Sequence, residues 1–313
     1  MSLNLLSINS GGCRSVLSLK LLMQIEEITG KPIYEIFDYY GASSAGCLVS
    51  SGLLLSEDGE KAKFTAHQLF DIFYNNLTNC FSWTYSSYIL SGFGLFGPLY
   101  DQIGLKKTIN DCCGDAKLGQ LLKPIVFPTY DKISNKNYYF CKHKNKDLLV
   151  ADVVLGCTAA PTYFASHQMK IDNIDYDFVD SGLVSQTSLK LVLLEAIKNK
   201  HIHKEKILCL NVGTGIFDLP KANYSGLLSW APHIVQTMMN ATYENEIFEL
   251  SLILPKEHFF IMDVPLDVKY YQLDNIKPEA IKYYLDETDK WIASNKDAIV
   301  NFCDKLMLNK GFY

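Results

Sequence analysis

Two serines, two glycines and one aspartate carry the chemistry that this sequence offers. Ser43 and Ser44 lie in Tyr40-Gly41-Ala42-Ser43-Ser44-Ala45-Gly46, where small residues join an apolar segment, 36–41, to a second one, 45–55. A serine at a sharp strand-to-helix turn has its hydroxyl exposed at a helix N-terminus, where backbone N–H groups favour developing negative charge. Small neighbours are required because the turn is tight. The run reads as Gly-x-Ser-x-Ala around Ser43 or as Ala-x-Ser-x-Gly around Ser44, and an ordinary loop capping a helix has the same composition.

Attack of a serine on an ester carbonyl creates an oxyanion, and each donor aimed at it contributes roughly 3 to 4 kcal/mol. Gly11 and Gly12, between a first apolar strand and the helix after it, suit that task because successive N–H groups can point into one space. The alternative is a phosphate-binding loop, for which neither GxGxxG nor a GKS or GKT triplet is present.

Asp180, in the segment YDFVDSGLVSQTS (176–188), ends a strand-like run and is the candidate base. A carboxylate of ordinary pKa, about 4, is a poor base for a hydroxyl. Partial burial and a direct hydrogen bond to the serine are expected to raise it. Two other readings stand beside this one: Asp180 as a turn residue before Gly182, and a Ser-Asp-His triad completed by His233 or His258 downstream.

The elements needed to position these groups are legible in the apolar pattern. Leu3 to Ile8 suits a buried strand, and Val16, Leu19, Leu22, Met23 and Ile25 fall at helical spacing until Gly30 and Pro32 stop the helix. A second strand, 36–41, leads through the serines into a helix over 45–55. Further strands are expected over 124–130, 137–141, 177–179, 206–212 and 258–264, with helices over 187–198 and 278–307 among those between and after them. Such alternation implies an α/β fold with a largely parallel sheet and helices on both faces.

A chain of 313 residues with 48% hydrophobic residues can bury a large core, and no linker divides it, so a single domain over 1–313 is expected. Charged residues make up 20% and the net charge is −5, which offers no basic field for nucleic acid or an anionic membrane. Any membrane contact should therefore be mainly apolar. Two segments are candidates for it: an aromatic excursion, 80–100, holding Phe81, Trp83, Tyr85, Tyr88, Phe93, Phe96 and Tyr100, and 227–239, holding Trp230, Ile234, Met238 and Met239. Ordinary core packing accounts for either equally well.

The nine cysteines lack any CxxC spacing, which favours reduced thiols and no zinc site. No metal or other cofactor is expected. The first residues carry no basic n-region or cleavage site, and no uninterrupted apolar run is long enough to span a bilayer. A cytoplasmic protein with transient membrane association is expected, and export by a leaderless route stays open.

The stretch LLSINSGGCRSVLSLKLLMQIEEITGKPIYEIFDYYGASSAGCLV (5–49) resembles the opening of patatin-like phospholipases, in which a strand leads to DGGGxRG, a helix ends in TGKP, and FD precedes a GTSTGG-like elbow. Counting from Phe37 and Asp38 places the family's nucleophile at Ser44, with Ala42 in place of the first glycine of GxSxG and Gly46 keeping the second. The segment with Asp180 resembles FVDGGLVANNP, with Ser181 replacing one glycine and Gly182 keeping the other. GCTAAPTYFASH, ILCLNVGTG and YYQLD are similar to later family segments, so the resemblance runs over about 5–274.

The resemblance implies a three-layer patatin-like α/β fold, with a motif core over about 5–215 and a helical C-terminal part over about 276–313. It implies a calcium-independent phospholipase A or broad lipid acyl hydrolase working through a Ser44-Asp180 dyad and an acyl-enzyme. Gly11, Gly12 and Cys13 would form the oxyanion hole, and Arg14 would brace the loop or the carboxyl end of the sheet. The partners implied are a phospholipid or other lipid ester, a membrane surface and, of unspecified identity, a protein activator. Ser10, Ser15, Ala42 and Ser181 stand where the family prefers glycine. A catalytically silent lipid-binding or signalling module and an acyltransferase are the other functions open to these residues.

Overall fold

A computed structural model describes residues 2–82, 96–200, 203–217, 225–230 and 234–312. Trp83, Tyr85, Tyr88, Phe93 and His233 lie outside the described residues. Strands β1 (Leu3–Ile8), β2 (Tyr39–Ala42), β7 (Ile207–Val212) and β9 (Phe259–Met262) form the parallel part of the main sheet, with β1 between β2 and β7, while a short strand, β8 (Ile216–Phe217), pairs outside it. β3 (Ile125–Asp131) runs parallel to β2, while β4 (Lys136–Cys141), β5 (His167–Ile171) and β6 (Ile174–Val179) add an antiparallel wing. The sheet is mostly parallel around the site, as the alternating pattern predicts.

Alternation along each buried strand divides the core in two. Leu6, Ile8, Tyr40, Ala42, Leu210 and Val212 face one layer of helices. It contains α1 (Ser15–Thr29), α3 (Ala45–Leu54), α4 (Ala66–Cys80), α5 (Ile103–Cys113), α6 (Val150–Thr158), α10 (Pro278–Ser294) and α11 (Lys296–Lys310). Leu3, Leu5, Tyr39 and Cys209 face the other layer, α7 (Leu189–Lys200) and α9 (Ile234–Ile253), between which the chain forms a short helix, α8 (Leu227–Trp230). Consecutive side chains point to opposite faces of a strand, so strands buried on both sides read as continuous apolar runs. Each large side chain buried this way contributes about 1.5–3 kcal/mol.

Two differences from the sequence expectation have a clear local cause. The strand expected from residue 36 begins at Tyr39, because Ile36 closes a short helix, α2 (Ile33–Ile36), after Pro32. Glu26 Oε1 accepts the Ile33 N–H at 3.0 Å, which satisfies a donor at the start of that turn. The long C-terminal helix is two helices, α10 and α11, meeting at Asn295 (φ −112°, ψ 12°). The Asn295 amide donates to Trp291 O at 2.8 Å, a local side-chain bond that competes with the helical ladder.

The topology around β3 determines where the functional groups meet. β4 lies along one edge of β3 from Val126 to Asp131. β2 pairs with Ile125 and Val126, and β6 pairs with Tyr130 and Asp131, so these two strands share the other edge. β2 runs with β3 and β6 runs against it. Their C-terminal ends therefore point at each other, with the Ser43-Ser44 turn leaving one and Asp180 the other.

Candidate active site

The turn between β2 and α3 holds Ser44 at φ 50° and ψ −127°, a conformation costly for a residue with a side chain. It turns the Ser44 hydroxyl out of the core while Ser43 is fully buried, its Oγ donating to Ser185 O at 2.6 Å. Ser44 N–H donates to Ser181 Oγ at 2.5 Å. A Cβ on Gly46 would stand 2.5 Å from Ile8 O and 2.9 Å from Asn9 O, so the first turn of α3 crosses the end of β1 only with glycine there. The methyl of Ala42, at the family's other glycine position, is absorbed in the core facing α1 and α3.

Ser44 Oγ donates to Asp180 Oδ2 at 2.6 Å, and Asp180 Oδ1 accepts the Gly182 N–H at 2.7 Å. Asp180 is buried, and loss of hydration raises its carboxyl from 3.8 to about 6. The hydrogen bond from Ser44 acts in the opposite direction to the sequence expectation. It lowers the pKa, because a donor stabilises the charged form, and so does the bond from Gly182. Burial alone provides the upward shift.

The glycine loop leaves β1 beside this pair. A Cβ on Gly11 would fall 2.3 Å from Thr214 Cβ, and one on Gly12, itself at φ 55°, would fall 2.4 Å from Leu273 O. Among the described residues nothing accepts the backbone N–H of Gly11 or Gly12. The N–H of Cys13, counted above with the oxyanion donors, is different. It donates to Leu273 O at 2.8 Å and is not free to serve an oxyanion. Arg14 is buried, donates from a terminal nitrogen to Tyr271 O at 3.0 Å and lies 4.7 Å over the Phe217 ring. It thus ties the glycine loop to the YYQLD segment.

Two cavities meet at Ser44. One is apolar, lined by Gly12, Ser44, Leu48, Phe73, Leu105 and Phe164 among others. The other is a wider crevice bounded by Ser10, Ser44, Asp180, Leu183, Met239 and Gln272 among others. Leu183, which lines the crevice, stands exposed, and so do Ile234 and Met238 on the helix that bears Met239, another of its lining residues. No histidine lines either cavity among the described residues. His258 precedes β9, at the end where the chain enters the strand, whereas the glycine loop and the serine turn follow the exit ends of β1 and β2. The described residues contain no cluster of three or more His, Cys, Asp and Glu suited to a metal, and no helix long and apolar enough to cross a membrane.

Three contributors have no signal in the sequence pattern. Ser181 is visible there only as a glycine replaced, yet its hydroxyl accepts from Ser44 N–H and donates to Cys157 O at 3.0 Å. Leu273 acts through its backbone carbonyl, which no side-chain pattern reports. Glu246, on α9, reaches the loop after Asp180 from far along the chain.

Comparison with known proteins identifies a family. Residues 6–193 match the family model described as patatin-like phospholipase. Patatin-like protein 2 of Arabidopsis thaliana is 24% identical over 295 residues, covering 81% of this chain and 72% of that protein. The cGAMP-activated phospholipase of Escherichia coli is 27% identical over 227 residues, covering 67% of this chain and 61% of the relative. The calcium-independent phospholipase A2-gamma of Mus musculus is 25% identical over 346 aligned residues, covering 99% of this chain and 43% of its own length. With most of its length matched by the family model, the chain belongs to the patatin-like phospholipase family.

Proposed function

We propose that the chain is a calcium-independent phospholipase A or broad lipid acyl hydrolase in which Ser44 is the nucleophile and Asp180 the base. The observation that carries this reading is the 2.6 Å bond from Ser44 Oγ to Asp180 Oδ2, at a turn that opens on an apolar cavity. Asp180 accepts the Ser44 proton as Oγ attacks an acyl carbonyl of the lipid, and the N–H groups of Gly11 and Gly12 hold the oxyanion. Collapse expels the alcohol, which takes the proton from Asp180 and leaves an acyl-Ser44 ester. Water then gives a proton to Asp180 and attacks, the fatty acid departs, and the proton returns to Ser44. N–H donors carry the developing charge, so no step calls for calcium.

The apolar cavity suits the acyl chain and the wider crevice suits the alcohol portion. Substrate enters from a lipid surface that meets Leu183, Ile234 and Met238, and at a net charge of −5 this contact is apolar. All nine cysteines are free and buried, which supports work in a reducing, cytosol-like compartment.

Fluorophosphonate labelling and a phospholipid panel test the reading. The label is expected on Ser44, fatty-acid release is lost in Ser44→Ala and Asp180→Asn, and a calcium chelator leaves the wild-type rate unchanged. Release that survives Ser44→Ala would overturn it.

A further inference from the structure

Beyond Asp180 the chain turns through Ser185, Gln186, Thr187 and Ser188, all buried. This turn is bonded to the serine turn, to the residue before the glycine loop and to the loop that follows Asp180. It takes the Ser43 hydroxyl at Ser185 O, 2.6 Å, and its Ser188 hydroxyl donates to Ala42 O at 3.0 Å. Gln186 O accepts the Ser10 N–H at 3.2 Å, beside the glycine loop, and the Gln186 side-chain amide donates to Gly182 O in the base loop.

The turn itself is held by one carboxylate. The Ser185 hydroxyl donates to Glu246 Oε1, and the N–H groups of Gln186 and Thr187 donate to Oε2 at 3.0 and 3.1 Å. Glu246 sits on α9, outside the residues 6–193 that the family model matches. It is buried and lines neither cavity at Ser44. Burial raises its pKa, and the bonds from the turn together with nearby Lys190 oppose that rise. Taking a carboxylate out of water is costly unless donors replace the water, and here, among the described residues, the hydrogen-bond donors all come from one turn, with no close ion pair to the carboxylate.

We infer that Glu246 is a positioning residue: by ordering the 185–188 turn it sets the spacing of Ser44, Asp180 and the Gly11-Gly12 loop. The inference rests on the hydrolase reading of Ser44 and Asp180. Glu246 touches no substrate surface, so its loss acts on the alignment of the reacting groups and leaves ground-state binding alone. A misplacement of about 1 Å lowers a rate on the order of a hundredfold, so partial loosening belongs somewhat below that.

The test compares Glu246→Gln, which keeps an acceptor for the two N–H groups, with Glu246→Ala, which keeps none. With a soluble ester, kcat is expected to fall about fivefold in the first and about thirtyfold in the second, with KM within about twofold in both. Amide hydrogen exchange at residues 185–188 and at 42–46 should quicken in the same order. Wild-type kcat in folded Glu246→Ala overturns the inference, as does faster exchange at 185–188 with none at 42–46. Should Glu246→Ala not fold, Glu246→Gln decides by the same two readouts. Wild-type protein that fails to label with a fluorophosphonate sinks the hydrolase reading instead, and exchange at 42–46 then decides the brace alone.

Discussion

Ser44 and Asp180, 136 positions apart in the chain, meet at 2.6 Å because β2 and β6 share one edge of β3 and run toward each other. The contact is thus built into the sheet. The loops only finish it, through Ser181 and the turn that carries Ser185.

The two adjacent serines should separate cleanly on mutation. Ser44→Ala is expected to abolish fluorophosphonate labelling and leave the thermal midpoint nearly unchanged. Ser43→Ala should keep the label on Ser44 but leave the buried Ser185 carbonyl without its donor, a loss of about 1 kcal/mol measurable by denaturant titration. The reverse pattern would place the nucleophile at Ser43.

Activity should follow ionisation of Asp180. Its carboxyl stands at about 6 in the folded protein, so kcat/KM on a soluble ester is expected to rise through that pH and level off above it. A profile flat between pH 5 and 8 would remove Asp180 as the base.

The same group links stability to pH with a definite sign. A carboxyl raised from 3.8 to about 6 favours the folded state in its protonated form, and that contribution is lost as pH rises from the lower value through the upper. Above pH 6 the ionised, buried Asp180 costs up to about 3 kcal/mol. Asp180→Asn should therefore raise stability at pH 8 and have little effect at pH 3.5, which equilibrium unfolding at the two pH values checks.

Ser181 bears on Ser44 directly. Ser181→Ala removes the acceptor of the Ser44 N–H and the donor to Cys157 O, both buried, and should cost about 1–3 kcal/mol. The rate of labelling at Ser44 should fall by about tenfold with it, as the strained turn loses its tie. Stopped-time labelling followed by mass spectrometry distinguishes this from an inert substitution.

Contact with lipid should be separable from chemistry. Replacing both Ile234 and Met238, which are exposed on α9, by aspartate is expected to weaken sedimentation with phosphatidylcholine vesicles by about tenfold. Hydrolysis of a soluble ester should stay within about twofold, because neither residue lines the cavities at Ser44. Equal losses in both assays would show folding damage and no lipid face.

Much of the fold was legible because it rests on local rules. Apolar strands, the stop at Gly30 and Pro32, and the glycines at 11, 12 and 46 all announce themselves by residue type and spacing. Boundaries were less so: α2 (33–36) takes Ile36 from the expected strand because Glu26 caps it, and Asn295 breaks the last helix through its own side chain. The glycine loop shows the same division. Its glycines are written in the sequence, but the capture of Cys13 N–H by Leu273 depends on a carbonyl more than two hundred residues away.

What the amino-acid sequence determined by itself is the inventory: a serine at a tight turn, an aspartate after a strand, a glycine loop and the alternation that makes a mostly parallel sheet. The family resemblance already chose Ser44 over Ser43; only the tertiary structure decided that burial and not the Ser44 hydrogen bond raises the Asp180 pKa, and that Glu246 holds the turn behind them. The physical reason is range. Propensity and turn chemistry act over a few residues, whereas desolvation and hydrogen bonds between distant segments exist only once the sheet has brought those segments together.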